Sequence, residues 1–188
     1  EYLGGRGFGV ALLSDAITHS WNAPEMRLVF ATGPLVGTAA PTSGRMSVVS
    51  RSPLTGTIFA CSAGGRFGTM LKRAGYDYLE IVGTADRLVA IEIDDDAITI
   101  LPADELRGRT VPEATAGYDS SWSTAVIGPA GELCVRYASI TVDGHYAAGR
   151  GGLGAVMGTK NLKLIAVRGS GAVTVADPAM LAASCEAI

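Results

Sequence analysis

Charge is scarce in this sequence. Only 18% of its 188 residues are Asp, Glu, Lys or Arg, against about 25% in an ordinary soluble domain. Basic residues number 15 and acidic ones 18, for a formal net charge of −3. Neutralising nucleic-acid phosphates takes a clustered Lys/Arg excess, so no nucleic-acid partner is expected. Cysteine is sparse as well. Cys61, Cys134 and Cys185 are odd in number, far apart and form no CxxC pair, so neither a disulfide framework nor a zinc or iron–sulfur site follows from them. They read as buried free thiols of a reducing compartment. No apolar run approaches the ~20 residues of a membrane span, and no signal-peptide pattern opens the chain. A cytoplasmic location is the expectation. There is no Walker A lysine, no Ser-His-Asp spacing and no carboxylate pair in an apolar setting, so no catalytic residue is assigned.

Apolar residues, by contrast, are abundant, at 48% with a mean hydropathy of +0.30. The length allows one full domain with a sizeable core or two small ones. Such a chain either encloses something or packs against something outside itself. Both ends read as cut. Glu1-Tyr2-Leu3 runs straight into "GGRGFG", and Asp177 and Pro178 open a helix, as N-cap and first residue, that stops in mid-pattern at Ile188. We therefore expect the N-terminal part of a longer protein.

Periodicity and punctuation predict an α+β order. A helix is expected over Phe8 to Ile17 and strands over Leu28 to Ala31, Met46 to Val49 and Gly56 to Cys61. Next come a short helix, Phe67 to Ala74, closed by Gly75, and a strand, Tyr78 to Val82. Leu88 to Ile93 and Ala97 to Leu101 flank a solvated "DDD" turn as a hairpin. A weak helix around Pro112 to Ala116 precedes strands at Thr124 to Ile127 and Cys134 to Thr141, and Leu162 to Val167 is the last strand.

An internal repeat runs through this order. "FGTMLKRAGYDYLEIVGTA" aligns without a gap on "LGAVMGTKNLKLIAVRGSG": Gly68 on Gly154, Leu71 on Met157, Leu79 and Ile81 on Ile165 and Val167, Gly83 on Gly169. Upstream of each copy stand a Gly-Pro turn (Gly33-Pro34, Gly128-Pro129), an arginine near a strand (Arg45, Arg136) and a glycine cluster. Two sheets related by an approximate two-fold are expected, with the glycine loops facing one shared site.

The richest of these loops lies in "DGHYAAGRGGLGAVMGTKN", residues 143–161, where six of nineteen residues are glycine. Gly149, Gly151 and Gly154 satisfy G-x-G-x-x-G, yet the dinucleotide context fails. No buried strand ends at the first glycine, the helix after it is short, and no acid stands ~20 residues on. What survives is the ability of glycine nests and short helix N-termini, at Gly64-Gly65 and Gly149 to Gly152, to present N–H groups to anions. Arg45, after "APTSG", is a natural partner for a phosphate or a flat heterocycle, or else a surface ion-pair residue. His145 is a general-base or metal-ligand candidate, although lone loop histidines are more often structural.

Taken together, "ATGPLVGTAAPTSGRMSVVSRSPLTGTI", "SAGGRFGTMLKRAGYD" and "IGPAGE…DGHYAAGRGGLGAVMGTKNLKLIAVRG" resemble the N-terminal domain of the aldehyde:ferredoxin oxidoreductases, the tungsten or molybdenum bis-pterin enzymes. The resemblance covers nearly the whole chain in order. It implies an α+β domain of two related sheets with short helices that supports the cofactor, over 1–176, with 177–188 opening a following helical domain. It also implies a bis-pterin metal site with a bridging magnesium ion, and a 4Fe-4S cluster ligated outside this chain. By correspondence, Arg45 lies between pterin and cluster, and Ser62, Ala63, Gly64 and Gly65 contact pterin. Tyr146, Ala147 and Gly149 belong to the second cofactor-binding segment. The magnesium ion is implied to take the backbone carbonyls of Ser62 and Ala147.

Two positions depart from the family's pattern: Ser62 stands where it usually has asparagine, and Tyr146 where it usually has arginine. A backbone ligand survives a side-chain change; a lost guanidinium removes positive charge beside the cofactor. The resemblance implies a parent enzyme that oxidises aldehydes to carboxylic acids and passes electrons through the cluster to ferredoxin or a similar carrier. Its implied partners are the remaining domains, that carrier and a small-molecule aldehyde, with a homo-oligomer left open. The competing expectation is a non-catalytic scaffold of the same fold that has lost the metal.

Overall fold

A computed structural model describes residues 2–188; Glu1, where the expected 1–176 domain begins, lies outside them. In chain order the elements are α1 (Gly5–Leu12), β1 (Leu28–Thr32), β2 (Met46–Arg51), β3 (Ile58–Ala63), α2 (Phe67–Arg73) and β4 (Tyr78–Ile81). Then follow β5 (Val89–Asp94), β6 (Ala97–Pro102), α3 (Val111–Thr115), β7 (Ser123–Val126) and α4 (Pro129–Glu132). The last are β8 (Ile140–Val142), β9 (Tyr146–Ala148), α5 (Leu153–Thr159), β10 (Leu162–Arg168) and α6 (Pro178–Glu186).

The strands form two sheets whose orders reveal the repeat. One runs β3-β2-β1-β4 and the other, read from its far end, β9-β8-β7-β10-β5-β6. The strand pairs shared by the two copies are all antiparallel, while β10 pairs with β5 in parallel. The helices agree with the alignment residue for residue, since α2 begins at Phe67 and α5 at the aligned Leu153, and both have 7 residues. The α+β fold of two related sheets is therefore present, with the β5–β6 hairpin added to the second copy.

Alternation along the strands explains the layers. On β1, Leu28 and Phe30 face a core shared with α2, α5 and the second sheet, whereas Val29 and Ala31 face a smaller cluster with Leu13. Both faces of this strand are thus covered, which is why all five of its residues are buried. The outer face of the second sheet is covered by Val111, Ala114, Tyr118 and Trp122 over Val126, Leu164 and Ala166. Three apolar clusters leave little surface for charge. Burying each large aliphatic or aromatic side chain contributes about 1.5–3 kcal/mol.

Helix α5 is apolar on every side because it is buried on every side, from Leu153 through Gly158. Gly154 and Gly158 lie one turn apart. A Cβ at Gly154 would stand 2.7 Å from the carbonyl carbon of Ser139, and one at Gly158 would be 2.8 Å from that of Gly131. These glycines serve backbone-to-backbone packing, and Gly154 thereby accounts for part of the apparent dinucleotide motif. At the end of α5, Lys160 is 3% exposed and donates to the carbonyls of Gly83 and Pro24 at 3.2 and 3.3 Å. Its burial pushes the ammonium down to about 8. Lys163, wholly buried on β10, is ion-paired with Glu132 and donates to the Arg109 carbonyl at 2.7 Å.

Three expected elements differ, and one element was not expected. The first helix begins at Gly5 and gives way after Leu12 to a 3-10 turn, Ser14–Ala16; its glycines let it settle on β2, where a Cβ at Gly9 would be 2.6 Å from Val49 Cγ2. The third strand starts two residues late, because the Ser52–Thr57 turn takes up Gly56. The expected strand Cys134–Thr141 is largely irregular. Pro129 opens α4 as a helix-compatible first residue, Cys134 adopts φ 53, and only Ile140–Val142 pairs. In the glycine segment, Tyr146–Ala148 forms an unanticipated short strand, β9.

At the other end, Asp177 caps α6 by accepting from the Met180 N–H at 2.8 Å. No residue of α6 is buried. Among the described residues, no helix is long and apolar enough to cross a membrane.

Candidate functional site

Strands β3 and β9 are the outermost strands of their sheets and lie against each other. This seam brings the two glycine loops together. Ser62, Ala147 and Gly149 line one open hollow of about 530 Å³ with Phe59, Ala60, Cys61 and Arg150. Three of the eight cofactor-binding candidates therefore share one wall, and the others sit around it.

Gly64 and Gly65 lie beneath the Tyr146 ring, since a Cβ at Gly64 would stand 2.9 Å from Tyr146 Cδ1 and one at Gly65 3.1 Å from Cδ2. The other copy does the converse. A Cβ at Gly151 would be 2.7 Å from Phe59 Cγ. Gly65 and Gly151 are aligned positions of the repeat, and both have positive φ, 91° and 79°. Each copy thus covers its partner's glycine with an aromatic ring, which fixes the spacing of the two loops. Tyr146 remains 50% exposed. Ala63 is buried and pairs with Met46 across β2, turning inward as part of the core.

Hydrogen-bond alternation decides which backbone groups are free. In an antiparallel ladder, narrow and wide pairs alternate, and residues of wide pairs turn both N–H and C=O away from the partner strand. The Ser52 N–H donates to the Thr57 carbonyl at 2.9 Å, marking a narrow pair. Counting along the β2–β3 register in steps of two makes Ser47–Ser62 a wide pair, so the Ser62 carbonyl projects from the free edge of β3. On the other side, the Asp143 N–H donates to the Thr124 carbonyl at 2.9 Å. That turns the backbone groups of Thr141 toward β7 and makes Thr141–Ala147 a wide pair on the β9 side. The Ala147 carbonyl therefore also projects from a free edge. The two carbonyls that the resemblance singles out are both free to coordinate.

Positive charge frames this wall. Arg45 is exposed one residue before β2, level with Gly64 in the extended register. Arg150 is exposed on the hollow itself. Neither has a hydrogen-bonding or ion-pair partner among the described residues. Arg136, the other arginine of the repeat, is committed instead: its guanidinium donates to the Pro53 carbonyl. Arg150 was not singled out from the sequence, although a cation inside a glycine-rich segment was the available signal.

His145 lies elsewhere. It borders a second hollow of about 400 Å³ with Arg66, Tyr118, Asp119, Trp122 and Asp143. Burial and the Glu92 carboxylate hold the Tyr118 phenol above its ordinary range. Among the described residues, no three or more His, Cys, Asp or Glu side chains converge as a metal site. A cation on the β3–β9 wall would rest on backbone oxygens, as hard divalent ions accept.

Residues 1–169 match the family model described as aldehyde ferredoxin oxidoreductase, N-terminal domain. The tungsten-containing aldehyde ferredoxin oxidoreductase of Pyrococcus furiosus is 47% identical over 184 residues, covering 94% of this chain and 30% of that protein. The aliphatic sulfonate oxidoreductase WOR-like subunit of the same organism is 33% identical over 193 residues, 91% of this chain and 31% of the relative. Among solved structures, the active-site complex BamBC of benzoyl coenzyme A reductase with 1,5-dienoyl-CoA superposes with a TM-score of 0.94 at 37% identity, covering 98% of this chain and 29% of that one. The chain thus spans about three-tenths of the length of the relatives it matches.

Proposed function

The chain belongs to the aldehyde ferredoxin oxidoreductase family, as its N-terminal domain, and from that premise we propose that it holds the pterin cofactor of a tungsten enzyme. The cofactor reading draws on the relatives named as tungsten-containing. Molybdenum is the other metal this chemistry admits. The observation that carries the assignment is the β3–β9 wall, where two free-edge carbonyls, glycine backbone and Arg150 converge, with Arg45 level with Gly64 in the adjoining register. These residues fit the group. Carbonyl oxygens of Ser62 and Ala147 suit a magnesium ion, while Arg45 and Arg150 suit pterin phosphates.

When bound, the cofactor supplies the redox chemistry of aldehyde oxidation, with electrons leaving through a 4Fe-4S cluster held by other parts of the full-length protein. This chain's contribution is placement. Gly149, with room where a Cβ would stand, allows close approach of a flat ligand to backbone N–H groups, while Gly64 and Gly65 hold their loop against the Tyr146 ring. Arg45 sits at the margin where pterin and cluster meet. Tyr146 gives this margin a neutral, half-exposed ring where family members usually carry arginine. Ala63 acts from behind the wall by packing into the core. The cofactor domain extends over 1–176, and the exposed helix from Pro178 opens the next, helical part of the protein. Its cytoplasmic setting, an aldehyde substrate, ferredoxin as electron acceptor and a homo-oligomeric state complete the reading.

The test is elemental and optical. The full-length protein, purified without oxygen from a host that makes tungstopterin, is expected to carry tungsten, pterin, magnesium and iron, and to reduce viologen dye on aldehyde addition. A protein that acquires neither tungsten nor molybdenum from such a host would contradict the proposal.

A further inference from the structure

We propose that Asp143 is a positioning residue of this site, setting the separation of the two loops that hold the cofactor; the inference rests on the cofactor reading above. Asp143 lies in the turn between β8 and β9, at φ 49. One carboxylate oxygen, Oδ2, accepts from the Arg66 N–H at 2.6 Å. Arg66 is the residue that introduces α2 and follows Gly65 directly. The other, Oδ1, accepts from the Ser123 hydroxyl at 2.5 Å and from the Thr124 N–H at 3.1 Å, both on β7. A single side chain therefore ties the glycine loop of the first copy to the strand and turn that lead into Tyr146 and Ala147 of the second. The Arg66 guanidinium reinforces the tie through the carbonyls of Ser120 and Trp122 at 2.9 and 2.7 Å.

The fit at this point is close. A Cβ on Gly65 would stand 2.8 Å from Asp143 Oδ2, so the loop carrying Ser62 and Gly64 reaches the carboxylate only because residue 65 is glycine. Across the seam from this tie, Arg136 holds Pro53. The polar contacts at either side bracket the Tyr146 and Phe59 ring-over-glycine pair. Loosening the Asp143 contact lets the Ser62 and Ala147 carbonyls drift relative to each other without touching the cofactor.

Both carboxylate oxygens of Asp143 accept, Oδ2 from one N–H and Oδ1 from a hydroxyl and an N–H. Asp143→Asn keeps the size and the tolerance for positive φ, but its NH2 must face one of those donors. The experiment compares full-length wild type with Asp143→Asn and Asp104→Asn. The latter breaks an exposed ion pair with Arg87 just after β6, at the opposite edge of the second sheet from β9. Readouts are tungsten and magnesium per chain through dialysis against chelator, the tungsten(V) electron-paramagnetic signal, and the melting temperature of the metal-free protein.

For Asp143→Asn, retention of both metals is expected to fall by on the order of tenfold, the equivalent of one lost charge-assisted hydrogen bond, with an altered tungsten(V) signal. Asp104→Asn keeps wild-type retention, because every hydrogen bond to Asp143 is intact in it. Unchanged retention and signal in Asp143→Asn would overturn the proposal, as would an equal loss in Asp104→Asn at matched melting temperature. A wild-type protein with neither tungsten nor molybdenum overturns the cofactor reading itself and this inference with it.

Discussion

Replacing Gly151 with alanine tests whether the exchanged rings set the loop spacing. The residue has φ 79 and lies against Phe59, whose Cγ would be 2.7 Å from the new Cβ and Cδ1 closer still. Holding alanine in the left-handed region costs about 1–2 kcal/mol, and forcing a methyl into a packed ring about 1–3 kcal/mol. Gly151→Ala is therefore expected to destabilise the protein by about 2–5 kcal/mol. Phe59→Ala removes a half-buried ring and costs about 2 kcal/mol by itself. In the double variant the overlap disappears while the backbone strain stays. The two changes should then couple by about 1–3 kcal/mol, the double variant being less damaged than the sum. Urea unfolding followed by tryptophan fluorescence measures all four corners of the cycle. Gly7→Ala is the control. Its Cβ would meet nothing within 4 Å in α1, so a gain of about 0.5–1 kcal/mol is expected there. Additivity within about 0.5 kcal/mol for Gly151 and Phe59 would refute the ring-over-glycine account.

The buried pair Lys163–Glu132 gives a second prediction. With side chains 0% and 9% exposed, truncating one partner strands the other, so Glu132→Gln or Lys163→Met is expected to lower stability by about 3–5 kcal/mol. A pair of replacements that fill the same volume should recover most of it, as chemical denaturation will show. Lys160 makes stability depend on alkaline pH. Its folded value near 8 lies below the ordinary lysine value of 10.5, so between these limits the unfolded chain binds more protons. The penalty of burying the charge is present in full below pH ~8 and is relieved as pH rises toward ~10.5. Unfolding free energy measured over this range should climb in wild type relative to Lys160→Met, and parallel profiles would remove the assignment.

Much of this architecture was legible because it is periodic. The repeat between "FGTMLKRAGYDYLEIVGTA" and its second copy marks α2 against α5 and β4 against β10, each long enough for apolar spacing to show. The departures have local causes. Tyr146–Ala148 is only 3 residues long, too short for alternation to register amid glycine. Cys134 to Thr141 read as strand by composition, yet Cys134 at φ 53 opens an irregular stretch and only Ile140–Val142 pairs. The site was legible as segments, through resemblance, but not as a surface. Nothing in the sequence says that Ser62 and Ala147 occupy wide pairs, because that depends on which hydrogen bond closes each hairpin. The pairing of Phe59 with Gly151 was equally hidden, being a contact between copies. His145, a site candidate by residue type, belongs to a different hollow.

The most direct test of the central claim is the tungsten content of the full-length protein, wild type against Arg45→Ala, purified in parallel without oxygen. Arg45 is exposed and has no partner among the described residues, so its loss should leave stability within about 0.5 kcal/mol of wild type. Stoichiometric tungsten in wild type, reduced several-fold in the variant at an unchanged melting temperature, is the result predicted here. Equal tungsten in both proteins would contradict a cofactor role for this arginine, and no tungsten or molybdenum in either would contradict the cofactor-binding account as a whole.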